Sequence, residues 1–188
     1  MFERYTDKAR RAIFFARYEA SQYGFSFIET EHLLLGVIRE DKELRKLFFP
    51  SEDELHCIRN KIDEHTLARK AVSTSVDIPI SNESKRVLNY AVEESERVGN
   101  KNINTEHIFL GLLREEKCFA AELLSEQGVN IDKARSDLTR IKGADKEPND
   151  LEEIKDLFYD YGFEFLRKYD ENLLEAYRRG YENGKASK

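Results

Sequence analysis

One eleven-residue motif occurs twice in this chain of 188 residues. Residues 30–40 read TEHLLLGVIRE, and residues 105–115 read TEHIFLGLLRE. Seven of the eleven positions are identical at an offset of 105 − 30 = 75, and the other four exchange one apolar residue for another. A period this long, with apolar positions kept apolar, predicts that one supersecondary unit is built twice.

The residues before the motif repeat at the same offset and predict a first helix in each copy. Thr6 and Ser81 precede runs with apolar or small residues at helical spacing, as helix N-caps do. Gly24 and Gly99 follow those runs, where glycine commonly ends a helix. Each repeat therefore begins with a helix and a loop before the motif.

The motif itself predicts the second helix of each repeat. We expect Thr30 and Thr105 to cap it, and Glu31 and Glu106 to lie in its first turn, where the helix dipole favours a carboxylate. Its leucines form the buried stripe. The motif alone therefore explains its acidic residues as helix-stabilising, without any ligand.

Glycine recurs in the middle of the motif helix. Gly36 and Gly111 occupy positions where glycine costs about 1 kcal/mol relative to alanine. We expect another helix to approach so closely that a side chain there would block it. Arg39 and Arg114 follow near the helix end, where a cation suits the negative end of the dipole.

Further helical patterns complete two units of four helices. The spacing predicts helices over 42–49, 52–65, 118–126 and from about 130 to 141. Beyond residue 150 the chain becomes rich in aromatic residues among many charges, which predicts a helical extension that packs on the body or on a second copy. The predicted segments are repeat one at about 2–66, a linker at 67–79, repeat two at about 80–142, a linker at 143–149 and the extension at 150–188.

Composition limits the classes of function. Hydrophobic residues make up 40% and charged residues 36% of the chain, which is typical of a soluble, helix-rich protein. A formal net charge of −6 disfavours nucleic-acid binding. No stretch approaches the roughly 18 apolar residues of a membrane span, no signal segment is apparent, and two cysteines are too few for a disulfide framework. These features predict a cytoplasmic protein that binds neither nucleic acid nor membrane.

Together these residues resemble the Clp repeat, or Clp N-terminal, domain of the ClpC type. The resemblance rests on the doubled Thr-Glu-His motif and covers about residues 2–142. It implies an all-α fold in which two tandem four-helix repeats pack with pseudo-twofold symmetry. In the family this domain precedes AAA+ ATPase modules and receives adaptors and substrates. No Walker A sequence occurs here, since the nearest approach, around Gly180 and Gly184, has the wrong spacing. We therefore expect a stand-alone domain without a motor.

The resemblance also implies a binding site. In the family the motif glutamates help to hold phosphoarginine, a degradation mark on proteins. A carboxylate can pair with a guanidinium, while nearby helix N-termini present N–H groups to the phosphate. The candidate residues are Glu106, Glu31, Thr6, Ser81, Thr105 and Thr30. Glu29 stands where relatives usually have glycine, and its charge should repel a phosphate, so the Glu106 copy is favoured.

The motif histidines raise the question of catalysis or metal binding. His32 and His107 each follow a glutamate directly, so the two side chains point about 100° apart on a helix and do not share a metal. His56, Cys57 and His65 supply too few ligands for a zinc site. We predict packed, hydrogen-bonded histidines, with no catalytic residue, metal or cofactor.

Three hypotheses for function follow. The first is a non-enzymatic interaction module that binds Clp ATPase or protease components, adaptors or substrate proteins, with phosphoarginine-marked proteins among them. The second is an enzyme that uses the motif glutamates and histidines, for which the sequence offers only helix-capping geometry. The third is a regulator whose C-terminal extension carries the recognition and whose repeats are scaffold only. The first is the preferred interpretation.

Overall fold

Eight α-helices form the part of the chain that the computed structural model describes, residues 3–66, 71, 73 and 77–141. The helices are α1 (Asp7–Gln22), α2 (Thr30–Glu40), α3 (Lys42–Phe48), α4 (Glu52–His65), α5 (Asn82–Arg97), α6 (Thr105–Arg114), α7 (Phe119–Glu126) and α8 (Ile131–Ile141). The all-α fold with four helices per repeat is therefore confirmed. These helices belong to one compact unit, residues 1–143. The predicted linker at 143–149, the extension and most of the linker at 67–79 lie outside the described residues.

Glycines end the first helix of each repeat, as the sequence predicts. Gly24 and Gly99 have φ angles of 69° and 71°, and Gly128 after α7 has 72°. This left-handed conformation is open to glycine at no steric cost. The chain then turns back towards the motif helix.

The motif helices α2 and α6 are the centre of the core. Each packs along the first helix of its own repeat, and α2 also packs against α6. The apolar motif side chains are almost completely buried, and each contributes about 1.5–3 kcal/mol of transfer free energy. They include Leu33, Leu34, Leu35, Ile108, Phe109 and Leu112.

The two mid-helix glycines lie where two helices touch. A Cβ atom at Gly36 would come 2.2 Å from the carbonyl oxygen of Ala12 in α1. A Cβ atom at Gly111 would come 2.4 Å from the carbonyl oxygen of Val87 in α5. The predicted close helix approach is thereby confirmed in both repeats.

The repeats contact each other through short backbone bridges near the starts of these helices. Tyr5 pairs with Ile103, and Ile28 pairs with Ile80. At the offset of 75, Tyr5 corresponds to Ile80 (5 + 75 = 80) and Ile28 corresponds to Ile103 (28 + 75 = 103). The two contacts therefore join the same pair of positions, with the roles of the repeats exchanged. Such reciprocity is expected of a pseudo-twofold arrangement, which stays a prediction.

A buried glutamate in each first helix pairs with several arginines, most of them from later helices. Glu94 is 1% exposed and accepts hydrogen bonds from Arg97 at 2.9 Å and Arg135 at 2.6 Å, with Arg114 at 3.4 Å. Burial alone would raise the pKa of Glu94, but the bonds from Arg135 and Arg97 outweigh it and hold the pKa below its usual value. At the matching position of repeat one, Glu19 pairs with Arg39 and Arg59. These clusters tie α1 and α5 to the rest of their repeats.

Among the described helices, none is both long and apolar enough to cross a bilayer.

Candidate functional site

The six candidate residues form two groups, each at a junction between the repeats. Thr6, at the start of α1, donates a hydrogen bond to Asn104 Oδ1 at 3.1 Å, directly before Thr105 and Glu106. We call this group the Glu106 site. Each site combines the start of a first helix from one repeat with the start of the motif helix from the other.

The second group is the Glu31 site, which contains Ser81, Thr30 and Glu31. Ser81 at the start of α5 donates its backbone N–H to the carbonyl of Ile28 at 3.1 Å. This contact brings the α5 start beside the start of α2. The sequence predicted the residues of both groups, and the fold brings each group together.

The first-helix caps form as predicted. Thr6 Oγ1 accepts the backbone N–H of Ala9 at 3.2 Å, and Ser81 Oγ accepts that of Ser84 at 3.1 Å. The remaining N–H groups of a first turn, together with the helix dipole, favour a nearby anion. Each site therefore has a helix N-terminus at its edge.

The predicted caps of the motif helices were wrong by one residue. Glu29 and Asn104 are the N-caps, and Thr30 and Thr105 are the first helical residues. The histidine three residues after each N-cap binds the backbone of that cap. His32 Nδ1 accepts the N–H of Glu29 at 3.0 Å, and His107 Nδ1 accepts that of Asn104 at 2.8 Å. Histidine thus takes the place that Glu or Gln occupies in an ordinary capping box.

The motif threonines link the repeats instead of capping. Thr105 Oγ1 donates to the buried Asp41 carboxylate, which also caps α3 by accepting the N–H of Leu44 at 3.1 Å. Thr30 Oγ1 accepts the N–H of Ala120 in α7 at 3.5 Å. The Glu106 site therefore contacts the N-terminus of α3, and the Glu31 site contacts the N-terminus of α7. In each case this helix belongs to the repeat that does not supply the motif threonine.

At the Glu106 site the glutamate side chain is partly exposed. The Glu106 side chain is 15% exposed, and its Oε1 lies 3.7 Å from Nε2 of the buried His107. The amide of Asn100 lies 3.3 Å from the same nitrogen. Because His107 Nδ1 accepts a backbone hydrogen bond, its proton in the neutral form is on Nε2, facing these two groups.

At the Glu31 site the carboxyl is enclosed. Glu31 is 5% exposed, and Thr30 Oγ1 donates to its Oε2 at 3.4 Å. Burial raises the pKa of Glu31, and the neighbouring Glu29 raises it further, although hydrogen bonding and His65 act in the opposite direction. His65 stacks on Phe119 with ring centroids 3.9 Å apart.

The motif histidines are packed inside the fold, as predicted. His32 is 0% and His107 is 1% exposed. Among the described residues, no group of three or more His, Cys, Asp or Glu side chains is arranged to hold a metal ion. Of the other candidate ligands, Cys57 receives only a long contact of 3.8 Å from Gln127 Nε2.

Three residues that the sequence reasoning missed belong to the Glu106 site. Asp41 joins it through Thr105, Lys8 through an ion pair with Asp41 at 3.0 Å, and Asn100 through His107. Asp41 and its partner Thr105 are 105 − 41 = 64 residues apart in the sequence, so no local pattern relates them. Lys8 is the cation of this group, and its partner carboxylate is buried.

Comparison with known proteins gives one family. The Clp repeat (R) N-terminal domain matches residues 4–127 and 80–153. The ATP-dependent Clp protease ATP-binding subunit ClpA homolog of Porphyra purpurea is 33% identical over 150 residues, which are 79% of this chain and 18% of that protein. Chaperone protein ClpC1, chloroplastic, of Arabidopsis thaliana is 35% identical over 148 residues, 78% of this chain and 16% of that protein.

A solved structure agrees with these matches. The N-terminal domain of the Clp-associated chaperone ClpD from Arabidopsis thaliana superposes with a TM-score of 0.60 at 31% identity, covering 76% of this chain and 97% of that one. The chain thus spans less than a fifth of the length of its curated relatives but nearly all of this isolated domain.

Proposed function

The chain belongs to the Clp repeat N-terminal domain family, and from this premise we propose that it is a non-enzymatic protein-interaction module of the Clp chaperone–protease system. Its partners are Clp ATPase or protease components, adaptors or substrate proteins. The described residues support a binding role over catalysis because their motif histidines are buried and engaged in helix capping.

The ligand we propose for this module is a phosphoarginine side chain on a marked protein. The carboxylate of Glu106, whose side chain is 15% exposed, pairs with the guanidinium through charge-assisted hydrogen bonds. The start of α1, joined to Asn104 through Thr6, offers N–H groups and a positive dipole end to the phosphoryl group. This juxtaposition of a carboxylate with a helix N-terminus is the observation that carries the proposal.

The rigidity of the site supports the same role. Thr105, the residue before Glu106, is buried and bonded to Asp41, and the following His107 is buried and bonded to the helix cap. Binding at a preorganised group avoids the entropy cost of ordering it. A module that recognises one modified side chain among many gains specificity from such fixed geometry.

We also propose a reducing compartment for this protein. Cys57 and Cys118 are both free thiols, which suits such a compartment. The cytoplasmic location predicted from the sequence stays a prediction, since Clp relatives with a location in their printed names are chloroplastic.

Capture from the native lysate tests the module's role. The full chain as bait is expected to retain a Clp ATPase, a Clp adaptor or Clp substrates, and a variant lacking residues 145–188 is expected to retain the same partners. Repeated captures without any Clp component would contradict the proposal. Loss of all partners with the deletion would instead assign recognition to the C-terminal extension.

A further inference from the structure

The two copies of the motif differ in how far their glutamates reach solvent. Glu31 is 5% exposed and accepts a hydrogen bond from the hydroxyl of its own neighbour, Thr30. The Glu106 side chain is 15% exposed. The corresponding hydroxyl, that of Thr105, is directed at Asp41 and Asn104. A ligand guanidinium therefore meets a more accessible carboxylate in the second copy.

The helix cap beside each glutamate also differs in charge. Asn104 caps α6 and is neutral, whereas Glu29 caps α2 and adds a carboxylate near Glu31. Burial is the main cause of the raised pKa of Glu31, and the charge of Glu29 acts in the same direction. A phosphoryl group carries about two negative charges near neutral pH, so a second carboxylate at this point opposes it.

The helix starts that border the two sites carry opposite charges at one matching position. Lys8 in the first turn of α1 corresponds to Glu83 in α5, since 8 + 75 = 83. Lys8 Nζ lies 3.0 Å from Asp41 Oδ1, and the other oxygen of Asp41 accepts the Thr105 hydroxyl, which places this cation at the Glu106 site. Asp7, beside Lys8, is paired with Arg10 at 3.3 Å.

The ion pair of Glu83 is longer than that of Lys8. The Glu83 carboxylate lies 3.9 Å from Arg86, and that guanidinium makes shorter bonds of 2.9 and 3.0 Å to Glu115. Glu83 lies in the first turn of α5, the helix whose start borders the Glu31 site.

The wall of each site differs as well. Where Asp41 caps α3 at the Glu106 site, Cys118 caps α7 at the Glu31 site. The next residue of α7, Phe119, stacks against His65. A stacked aromatic pair and a buried thiol line the first copy, while an ion pair lines the second.

From these differences we infer that the two sites are unequal: the Glu106 site binds phosphoarginine, and Glu31 is an internal part of the fold, so one chain takes one phosphoarginine. This inference rests on the proposed ligand. Lys8 at the Glu106 site favours the phosphoryl group, and the two glutamates at the other copy, Glu29 and Glu83, oppose it. Duplication of the motif has thus not duplicated the binding function.

Calorimetric titration of the full chain with free phosphoarginine tests the inference. We expect one ligand per chain. Glu106→Gln is expected to abolish the binding heat, and the matched Glu31→Gln is expected to keep one site with an affinity within about twofold of wild type. Lys8→Gln should weaken binding about tenfold, which corresponds to about 1.4 kcal/mol. Thermal unfolding of each variant establishes that it is folded.

The possible results separate the inference from the proposed function. Two ligands per chain, or loss of binding in Glu31→Gln with binding intact in Glu106→Gln, would overturn the inequality while leaving phosphoarginine as the ligand. No heat with the folded wild-type chain would remove the ligand itself, and the inference with it. Abolished binding in Glu106→Gln, a tenfold loss in Lys8→Gln and near wild-type binding in Glu31→Gln is the supporting result.

Discussion

At the scale of single residues, the two motif histidines show how one sequence position acquires two environments. In repeat two, the amide of Asn100 faces His107 Nε2 at 3.3 Å. In repeat one, the matching residue is Phe25, whose ring is edge-on to His32 with centroids 4.8 Å apart. Among the described residues, His32 Nε2 has no hydrogen-bond partner. Burial accordingly lowers the pKa of His32 to about 3.

This lowered pKa predicts an acid-dependent loss of stability. The unfolded chain takes up a proton on His32 near the ordinary pKa of about 6.5, whereas the folded chain resists it, so the contribution is present above pH 6.5 and lost as the pH falls. Between pH 7 and 5 we expect His32 to account for about 2 kcal/mol of lost unfolding free energy. Denaturant unfolding at several pH values measures this loss.

The control variants isolate the group responsible. His32→Gln keeps an acceptor for the capping bond and does not titrate, so this portion of the pH dependence should disappear. His56→Gln, at an exposed position of α4, should keep the wild-type pH dependence. An unchanged pH slope in His32→Gln would contradict the account.

Sequence reasoning reached part of this residue-scale description. The burial and hydrogen bonding of His32 and His107 were predictable, because a polar residue inside an apolar helix pattern needs a partner. The exchange of Phe25 for Asn100 is visible at the offset of 75. The sequence does not show that this exchange decides whether the histidine Nε2 has a partner, because that depends on which ring nitrogen accepts the hydrogen bond from the helix cap. Likewise, the charge at Glu94 is explained only once three arginines from three helical positions converge on it.

At the scale of elements, the contact between the first helix and the motif helix determines the geometry of each repeat. Gly111 permits α6 to lie against the backbone of α5, where Val87 O would be 2.4 Å from any Cβ. Adding a methyl group there forces two helix backbones apart. Overpacking of this kind lowers the unfolding free energy by about 1–3 kcal/mol. The higher helix propensity of alanine offsets at most about 1 kcal/mol of this destabilisation.

We therefore expect Gly111→Ala to lower the unfolding free energy by about 2 kcal/mol, measured by denaturant titration. Asn89→Ala, on the exposed side of α5, is the matched control and should change stability by no more than about 0.5 kcal/mol. Equal stability of Gly111→Ala and wild type would show that the helices do not depend on this close approach.

Helix positions were well predicted at this scale, and helix caps less so. The glycine punctuation and apolar spacing located all eight helices, and the mid-helix glycines revealed the close packing. The caps of α2 and α6 were assigned one residue late because Thr30 and Thr105 are typical cap residues. Only the structure shows that their hydroxyls are used by Ala120 and Asp41 of the other repeat.

At the scale of the whole described unit, the proposed binding residues come together where the repeats meet. Thr6 and Lys8 come from repeat one, and Glu106 comes from repeat two. The sequence predicted that these residues lie at helix starts, and their role in binding stays a prediction. The partnership of Lys8 with Asp41 and Thr105 was not predictable, because it spans 105 − 8 = 97 residues and depends on the packing of both repeats. The charge difference between the two sites is consequently a property of the assembled fold.

The measurement that tests the central claim most directly compares one protein with and without arginine phosphorylation. The full chain is immobilised, and retention of the arginine-phosphorylated protein is measured against the same protein after phosphatase treatment. We predict retention of the phosphorylated form alone, and loss of that retention in Glu106→Gln. Equal retention of both forms by the wild-type chain, or undiminished retention by Glu106→Gln, would contradict the account.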